Sequence, residues 1–406
     1  MAKKQTQSTL QELNPFMPGA GMRPPELVGR EKDLEIIDRM IARVKLHAMD
    51  RGIIFSGLRG VGKTVLLVAC QELVERHGMT TARIEATGDA DTDYDAMFGA
   101  LSRAMIMSRH GSLFSSIQNK LANIESISLN FHGIGASIDT NTQDRPGTNP
   151  MRLELLIESI ARQLQKKDSG LFLFIDEFQE MASEPLGTLI SLQHRMGQDS
   201  LPFYIIGAGL PNLPGVLSRS KSYAERLFEY RIIGQLSEQD TAEGFQKPAA
   251  RVGRPFQPDA LEELVKVSQG YPYFIQAYGK AAWNASDSSP IALRAVKESE
   301  ADARAELDEG LYASRWQRAT VAGREYLAAM AAISGDEPSS TSDVARSLGK
   351  NTQQVSSIRQ SLIELGLIYS PARGKVAFTV PNMGEFILRA SPAAGQTYDG
   401  KRQPER

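Results

Sequence analysis

The stretch GIIFSGLRGVGKTVLLVACQ, residues 52–71, sets a glycine-framed lysine between two apolar runs. Gly57, four further residues, then Gly62, Lys63 and Thr64 match the phosphate-loop spacing G-x-x-x-x-G-K-[ST]. Such a loop needs several backbone N–H groups to converge on phosphate oxygens. Cβ atoms would obstruct that approach, which accounts for Gly57, Gly60 and Gly62. Leu58, Arg59 and Val61 complete the loop and Val65 follows it, so all four count among the candidate nucleotide-binding residues. The apolar run before the loop reads as a buried strand. The run after it reads as a helix stopped by Gly78. That helix would aim its N-terminal partial positive charge at the anion. Lys63 would supply a point charge to the β- and γ-phosphates, and Thr64 a hydroxyl to Mg²⁺.

Outward from the loop, strand-like and helical segments alternate. TARIEA (81–86), LFLFIDE (171–177), PFYIIGAG (202–209) and YRIIGQL (230–236) read as further strands. Helical spacing appears over 31–47, 94–107, 151–167 and 185–196. Short apolar strands without alternation, separated by helices, predict a parallel sheet covered on both faces. LFLFIDE ends in Asp176 and Glu177 at the C-terminal edge, where open α/β sheets collect their ligands. Asp176 would hold Mg²⁺ through water and Glu177 would polarise an attacking water. ATP and Mg²⁺ are therefore the expected ligands.

Residues 124–139 interrupt the alternation. Ile127, Leu129 and Phe131 recur at period two, followed by Ile134, Ala136 and Ile138, which predicts a β-hairpin inserted in the core. From Ser237 onward the strands stop. Ser237 and Asp240 form a capping box, and four helices are expected through residue 309. Over 310–390 three helices precede LIYSPARGKVAFTV, two strands around a Pro-Ala-Arg-Gly turn, which is a winged-helix pattern. The expected organisation is a flexible segment 1–23, a nucleotide-binding core 24–236, a helical lid 237–309, a winged helix 310–390 and a flexible tail 391–406.

Composition sets the outer limits. A chain of 406 residues suggests two to four domains. Apolar content of 41% and charged content of 23% are ordinary for a globular protein. No apolar run approaches the ~18 residues that span a bilayer, and the N-terminus lacks a signal-peptide core. Cys70 is the single cysteine, so no internal disulfide is possible, and its apolar setting predicts a packed thiol. The five histidines form no HxH or HExxH. A cytoplasmic location without membrane contact is expected. The net charge of −2 confines any nucleic-acid surface to a local patch.

The phosphate loop together with the LFLFIDE strand resembles AAA+ ATPases, in the branch shared by origin-recognition-like initiators and STAND-type signalling ATPases. The resemblance covers about residues 24–390. PPELVGRE (24–31) is similar to the branch's adenine-lining segment, and GYP (270–272) to its lid element. The resemblance implies that Leu27, Val28, Gly29 and Arg30 approach adenine from one side and Pro272 from the other. For GYP a plain interhelical turn is the alternative reading, and for Pro24-Pro25 a stiff linker. The family also completes its site with an arginine from a neighbouring subunit. By resemblance that is Arg226 rather than Arg219, unless Arg226 pairs with Glu225 or Glu229. One departure concerns the polar residue usual after the fourth strand, for which GAGLPNLPG (207–215) offers Asn212 alone.

The resemblance implies nucleotide-dependent self-association and an ATP-controlled switch. The first reading of that switch is DNA-associated. Gln353, Gln354, Ser357 and Gln360 lie away from an apolar face of Val355, Ile358 and Leu362, and Arg373 and Lys375 lie in the wing. The alternative is a signalling or scaffold ATPase whose winged helix contacts protein and holds an ADP-bound closed state.

Overall fold

The computed structural model describes residues 13–19, 21–107 and 148–390. The hairpin expected at 124–139 and the tail 391–406 lie outside the described residues. The chain divides into two compact units. One comprises residues 30–56 and 63–232; the other comprises residues up to 29, the loop 57–62, and residues from 233 onward.

The first unit carries α1 (Glu31–Lys45), β1 (Gly52–Ser56), α2 (Lys63–Arg76), β2 (Thr80–Glu85) and α3 (Ala90–Met107). There follow α4 (Asn149–Gln165), β3 (Leu171–Asp176), α5 (Ser183–Gln198), β4 (Phe203–Gly209), α6 (Leu213–Ser220), α7 (Ala224–Leu227) and β5 (Phe228–Ile232). The strands form one sheet in the order β2-β3-β4-β1-β5, every pairing parallel. β1 and β4 are buried along their whole length, and β3 as far as Ile175. Helices on both faces require such uninterrupted apolar runs. Edge strand β2 alternates instead.

β5 starts and ends earlier than the expected 230–236. It pairs Phe228–Ile232 with Gly52–Ser56, so the ladder stops where β1 turns into the loop. Behind it Asp33 of α1 is buried at 7% exposure and accepts from Arg231 Nε at 3.2 Å and Nη2 at 3.1 Å. That pairing compensates a carboxylate otherwise costly to bury.

The second unit is mainly helical, with α8 (Glu238–Arg251), α9 (Pro258–Ser268), α10 (Pro272–Ala285), α11 (Leu293–Glu298) and α12 (Glu300–Leu307). The expected cap is present: Ser237 Oγ accepts from Asp240 N–H at 3.1 Å. The single helix read over 290–309 is divided at buried Ser299, whose hydroxyl bonds back to the Val296 carbonyl at 3.1 Å. α12 continues through π-helical Asp308–Ala313 into α13 (Ser314–Arg318).

Residues 14–17, read as part of a loose segment, are instead fastened to this unit. Phe16 is 2% exposed and packs against Phe245 and Phe256. Asn14 Nδ2 donates to the Lys280 carbonyl at 3.1 Å and to Asn284 Oδ1 at 2.9 Å. One aromatic ring seated over Gly279, where a Cβ would lie 2.5 Å away, ties down an otherwise polar stretch.

The C-terminal part holds α14 (Val321–Ser334), β6 (Ser339–Ser340), α15 (Thr341–Ser347), α16 (Ser356–Glu364), β7 (Ile368–Tyr369), β8 (Lys375–Phe378) and α17 (Met383–Ala390). Its small sheet has the antiparallel order β6-β8-β7. The three helices and the β7–β8 pair match the sequence reading; β6 and α17 are additions to it. α16 is shorter than expected. Asn351 and Gln354 exchange side-chain to backbone hydrogen bonds at 2.9 and 3.0 Å, holding 351–354 in a turn. Gln353 and Gln354 therefore precede the helix, whereas Ser357 and Gln360 stand exposed on it. Among the described residues no helix is long and apolar enough to cross a membrane.

Candidate active site

β1 is buried on all sides, enters the loop at Gly57, and the chain resumes regular structure with Lys63 as the first residue of α2. The loop glycines have two separate reasons. Gly60 and Gly62 take φ of +81° and +87°, in the left-handed region that L side chains avoid. Gly57 does not; instead a Cβ there would lie 2.1 Å from the Ile233 carbonyl oxygen. Lys63 is 8% exposed at the helix N-terminus, and Thr64 beside it is exposed. Midway along α2, Cys70 is fully buried; burial, and secondarily the Asp33 carboxylate, pushes its thiol pKa well up.

The loop's own unit surrounds it with specific partners. Arg59 N–H donates to the Thr379 carbonyl at 2.8 Å, and Tyr273 N–H donates to the Gly60 carbonyl at 3.2 Å. A Cβ on Gly62 would stand 3.7 Å from Pro272 Cγ, so Pro272 adjoins the loop. GYP is a tight interhelical turn. Gly270 has φ +72°, its carbonyl accepts from Leu236 N–H at 2.8 Å, and Pro272 begins α10, where its missing N–H costs nothing. Val28, 9% exposed, and Ile275 of α10 both face Gly244, so the segment before α1 and α10 share one packing site. Gly29, at φ +67°, lies against Asp240; Leu27 is half-buried. Arg30 falls in the sheet unit at the N-cap of α1, and its carbonyl accepts from Asp33 and Leu34 at 3.1 Å.

In the sheet unit the register opposes Ser56 of β1 to Gly209 of β4, and Ile175 of β3 to Gly207 of β4. Asp176 and the exit of β1 thus share the C-terminal sheet edge, with β4 between them. Asp176 Oδ1 accepts from Glu177 N–H at 2.9 Å, and Glu177 adopts a left-handed φ of +46°. Such a conformation in a non-glycine residue is a strained feature typical of functional sites. It turns the chain sharply at the strand end into the short 3₁₀ turn Phe178–Glu180.

Gln179 in that turn was not singled out from the sequence. Its Nε2 donates to Glu177 Oε2 at 2.6 Å and its Oε1 accepts from Leu210 N–H at 2.9 Å. A glutamine two residues beyond the acidic pair was the available signal; its partner Leu210, just after β4, is remote in sequence. Asn212 lies at the N-cap of α6, and its Oδ1 is buried with no hydrogen-bond partner among the described residues. Arg226, in α7, is exposed, as is Arg219 in α6. Glu229 is taken by Arg39 and Arg51 at 3.8 Å, and no ion pair to Arg226 occurs among the described residues.

Mg²⁺ keeps several waters and uses one or two protein oxygens beside substrate phosphates. An exposed hydroxyl on Thr64 and a half-buried Asp176 carboxylate fit that donor set. Among the described residues no group of three His, Cys, Asp or Glu side chains could hold a metal by itself.

The family model for the AAA ATPase domain matches residues 26–206, and a domain of unknown function (DUF8462) matches residues 309–387. A search of curated proteins found no match. The Walker-type ATPase paby2304 of Pyrococcus abyssi is similar in structure with a TM-score of 0.56 at 15% identity, over 93% of this chain and 99% of that one. Cdc6p from Pyrobaculum aerophilum gives 0.45 at 15% identity, over 92% and 97% of the two chains. The Aeropyrum pernix Orc1 protein, solved in complex with DNA, gives 0.44 at 16% identity, over 92% and 95%. Strand order, loop and matches together give this chain the fold of an AAA+ P-loop ATPase, with residues 26–206 matching the AAA ATPase domain.

Proposed function

We propose that the chain is a Mg²⁺-dependent ATPase acting as a nucleotide-controlled, DNA-associated switch. The observation that carries the hydrolytic part is the delivery of Asp176 and Glu177 to the same sheet edge from which β1 enters the phosphate loop. In this reading the loop amides and Lys63 grip the triphosphate, and Thr64 and Asp176 hold Mg²⁺. When bound, the ion neutralises charge on the β- and γ-phosphates. Glu177 takes a proton from water as its oxygen bonds to the γ-phosphorus. The bond to the β–γ bridging oxygen breaks and its electron pair leaves with ADP. Leu27 to Arg30 and Pro272 are the proposed adenine contacts. The assay is nucleotide binding and phosphate release by the purified chain. Lys63→Ala should abolish binding, and Glu177→Gln should bind ATP yet release no phosphate. Undiminished turnover in Glu177→Gln would remove its assigned role.

The DNA part is supported by the winged-helix reading of the C-terminal helices and sheet, with Arg373 and Lys375 exposed at the β7–β8 turn and Ser357 and Gln360 exposed on α16. Phosphate contacts of this kind make affinity fall steeply with salt. A gel-shift with and without ATP at two salt levels tests it, and salt-independent or absent binding counts against it.

A second reading is favoured by one observation. The Thr379 carbonyl, just after β8, accepts from Arg59 N–H of the phosphate loop at 2.8 Å. A loop amide engaged by the C-terminal segment supports a signalling or scaffold ATPase whose C-terminal module contacts protein and is released by nucleotide. That reading expects a nucleotide-dependent change in particle mass without DNA, measured by light scattering.

A further inference from the structure

Gln179 links the proposed water-activating carboxylate to the end of the fourth strand. Both ends of its amide are committed, and the chemistry of the partners fixes which end is which. The Leu210 N–H can only donate, so it selects the amide oxygen, at 2.9 Å. The Glu177 and Glu180 carboxylates select the amide nitrogen, at 2.6 and 3.1 Å. Space for this bridge depends on Gly209, the last residue of β4. A Cβ there would stand 2.2 Å from Gln179 Oε1.

We infer that Gln179 is a positioning residue that holds the Glu177 carboxylate in its working orientation by tying it to the backbone after β4. This rests on the hydrolytic reading of Glu177 proposed above. Glu177 sits at a left-handed turn at the end of β3, and a long carboxylate side chain has several rotamers of its own. A charge-assisted hydrogen bond from a doubly anchored amide selects one of them. The bridge spans the place where the resemblance leads one to expect a polar residue after the fourth strand. Asn212, the candidate read there from the sequence, has a buried amide oxygen without a partner among the described residues, whereas Gln179 reaches the same strand end from the turn after β3. Gln179 acts through Glu177, so its loss should appear in the chemical step and not in nucleotide binding.

The test measures kcat and KM for ATP in the full chain. Gln179→Leu should lower kcat about tenfold or more, within the range general-base alignment supplies, and leave KM within about twofold. Gln179→Glu separates positioning from scaffolding. It keeps an oxygen for the Leu210 N–H but faces Glu177 with a second carboxylate, so a structural anchor would be rescued and a positioning donor would not. Gly209→Ala should reproduce the kcat loss by displacing the amide oxygen, guarding against a folding defect peculiar to position 179. In the Glu177→Gln background, which turns over no ATP, Gln179→Leu should leave ATP affinity unchanged. Weakened ATP binding in that background, full activity in Gln179→Glu, or a defect confined to KM would overturn the assignment. If the wild-type chain binds ATP but releases no phosphate, the hydrolytic reading falls and this one with it. If wild-type turnover is normal and Gln179→Leu matches it, this assignment alone falls.

Discussion

Cys70 shows how a single residue reports on the packing of α2 within its own unit. It lies on α2, two turns beyond Lys63, and is fully buried. Burial raises the thiol pKa above its ordinary value of 9.0, and the Asp33 carboxylate adds to the effect. Below that value the thiol is protonated in folded and unfolded chains alike, and pH has no leverage through it. As pH rises past about 9, the unfolded chain loses a proton that the folded chain keeps. Stability through this group is therefore lost with rising pH, and never gained. A thiol reagent at neutral pH should leave the native protein unlabelled and label it after urea unfolding, as followed by mass spectrometry. Prompt labelling of the native chain would show the α2 packing to be wrong. The sequence made this residue legible because an isolated cysteine in an apolar run has one physical reading. It did not make Gln179 legible: a glutamine takes its role from whichever donors and acceptors the fold brings to it, and Leu210 comes from the segment after β4.

At the scale of elements, strands and caps were the readable features. β1, β3 and β4 are apolar throughout because a covered parallel sheet buries both faces. Where elements end was less readable, and each discrepancy has a local cause. β5 stops at Ile232 because its partner β1 has ended. α16 starts late because Asn351 and Gln354 satisfy each other's backbone groups. The cap of α8 is a case where local chemistry alone decides. Ser237 Oγ accepts from Asp240 N–H at 3.1 Å and lies 2.6 Å from the Asp240 carboxylate. Ser237→Ala should cost about 1 kcal/mol in urea unfolding, as loss of an N-cap usually does, and Ser237→Gly only a few tenths. An equal cost for both substitutions would mean that the hydroxyl is not the capping group.

At the scale of the molecule, the open matter is whether one chain completes its own site. In the proposed hydrolytic reading the sheet unit supplies Lys63, Thr64, Asp176 and Glu177, while Arg226 stands exposed on α7 with no ion pair among the described residues. An arginine kept free of local carboxylates at the surface is available to a second copy. A cation supplied to a leaving γ-phosphoryl group is worth ~10³-fold or more in rate. Turnover per chain should therefore rise with protein concentration, and Arg226→Ala should lower it to the dilute limit at every concentration. Complementation separates this from a simple surface effect. Lys63→Ala keeps Arg226 but binds no nucleotide; Arg226→Ala binds nucleotide but lacks the arginine. Each should be nearly inactive alone, and an equimolar mixture should recover activity at the interface pairing one donor with one acceptor. A mixture no more active than the sum of its parts, with constant specific activity in the wild type, would place Arg226 outside the reaction.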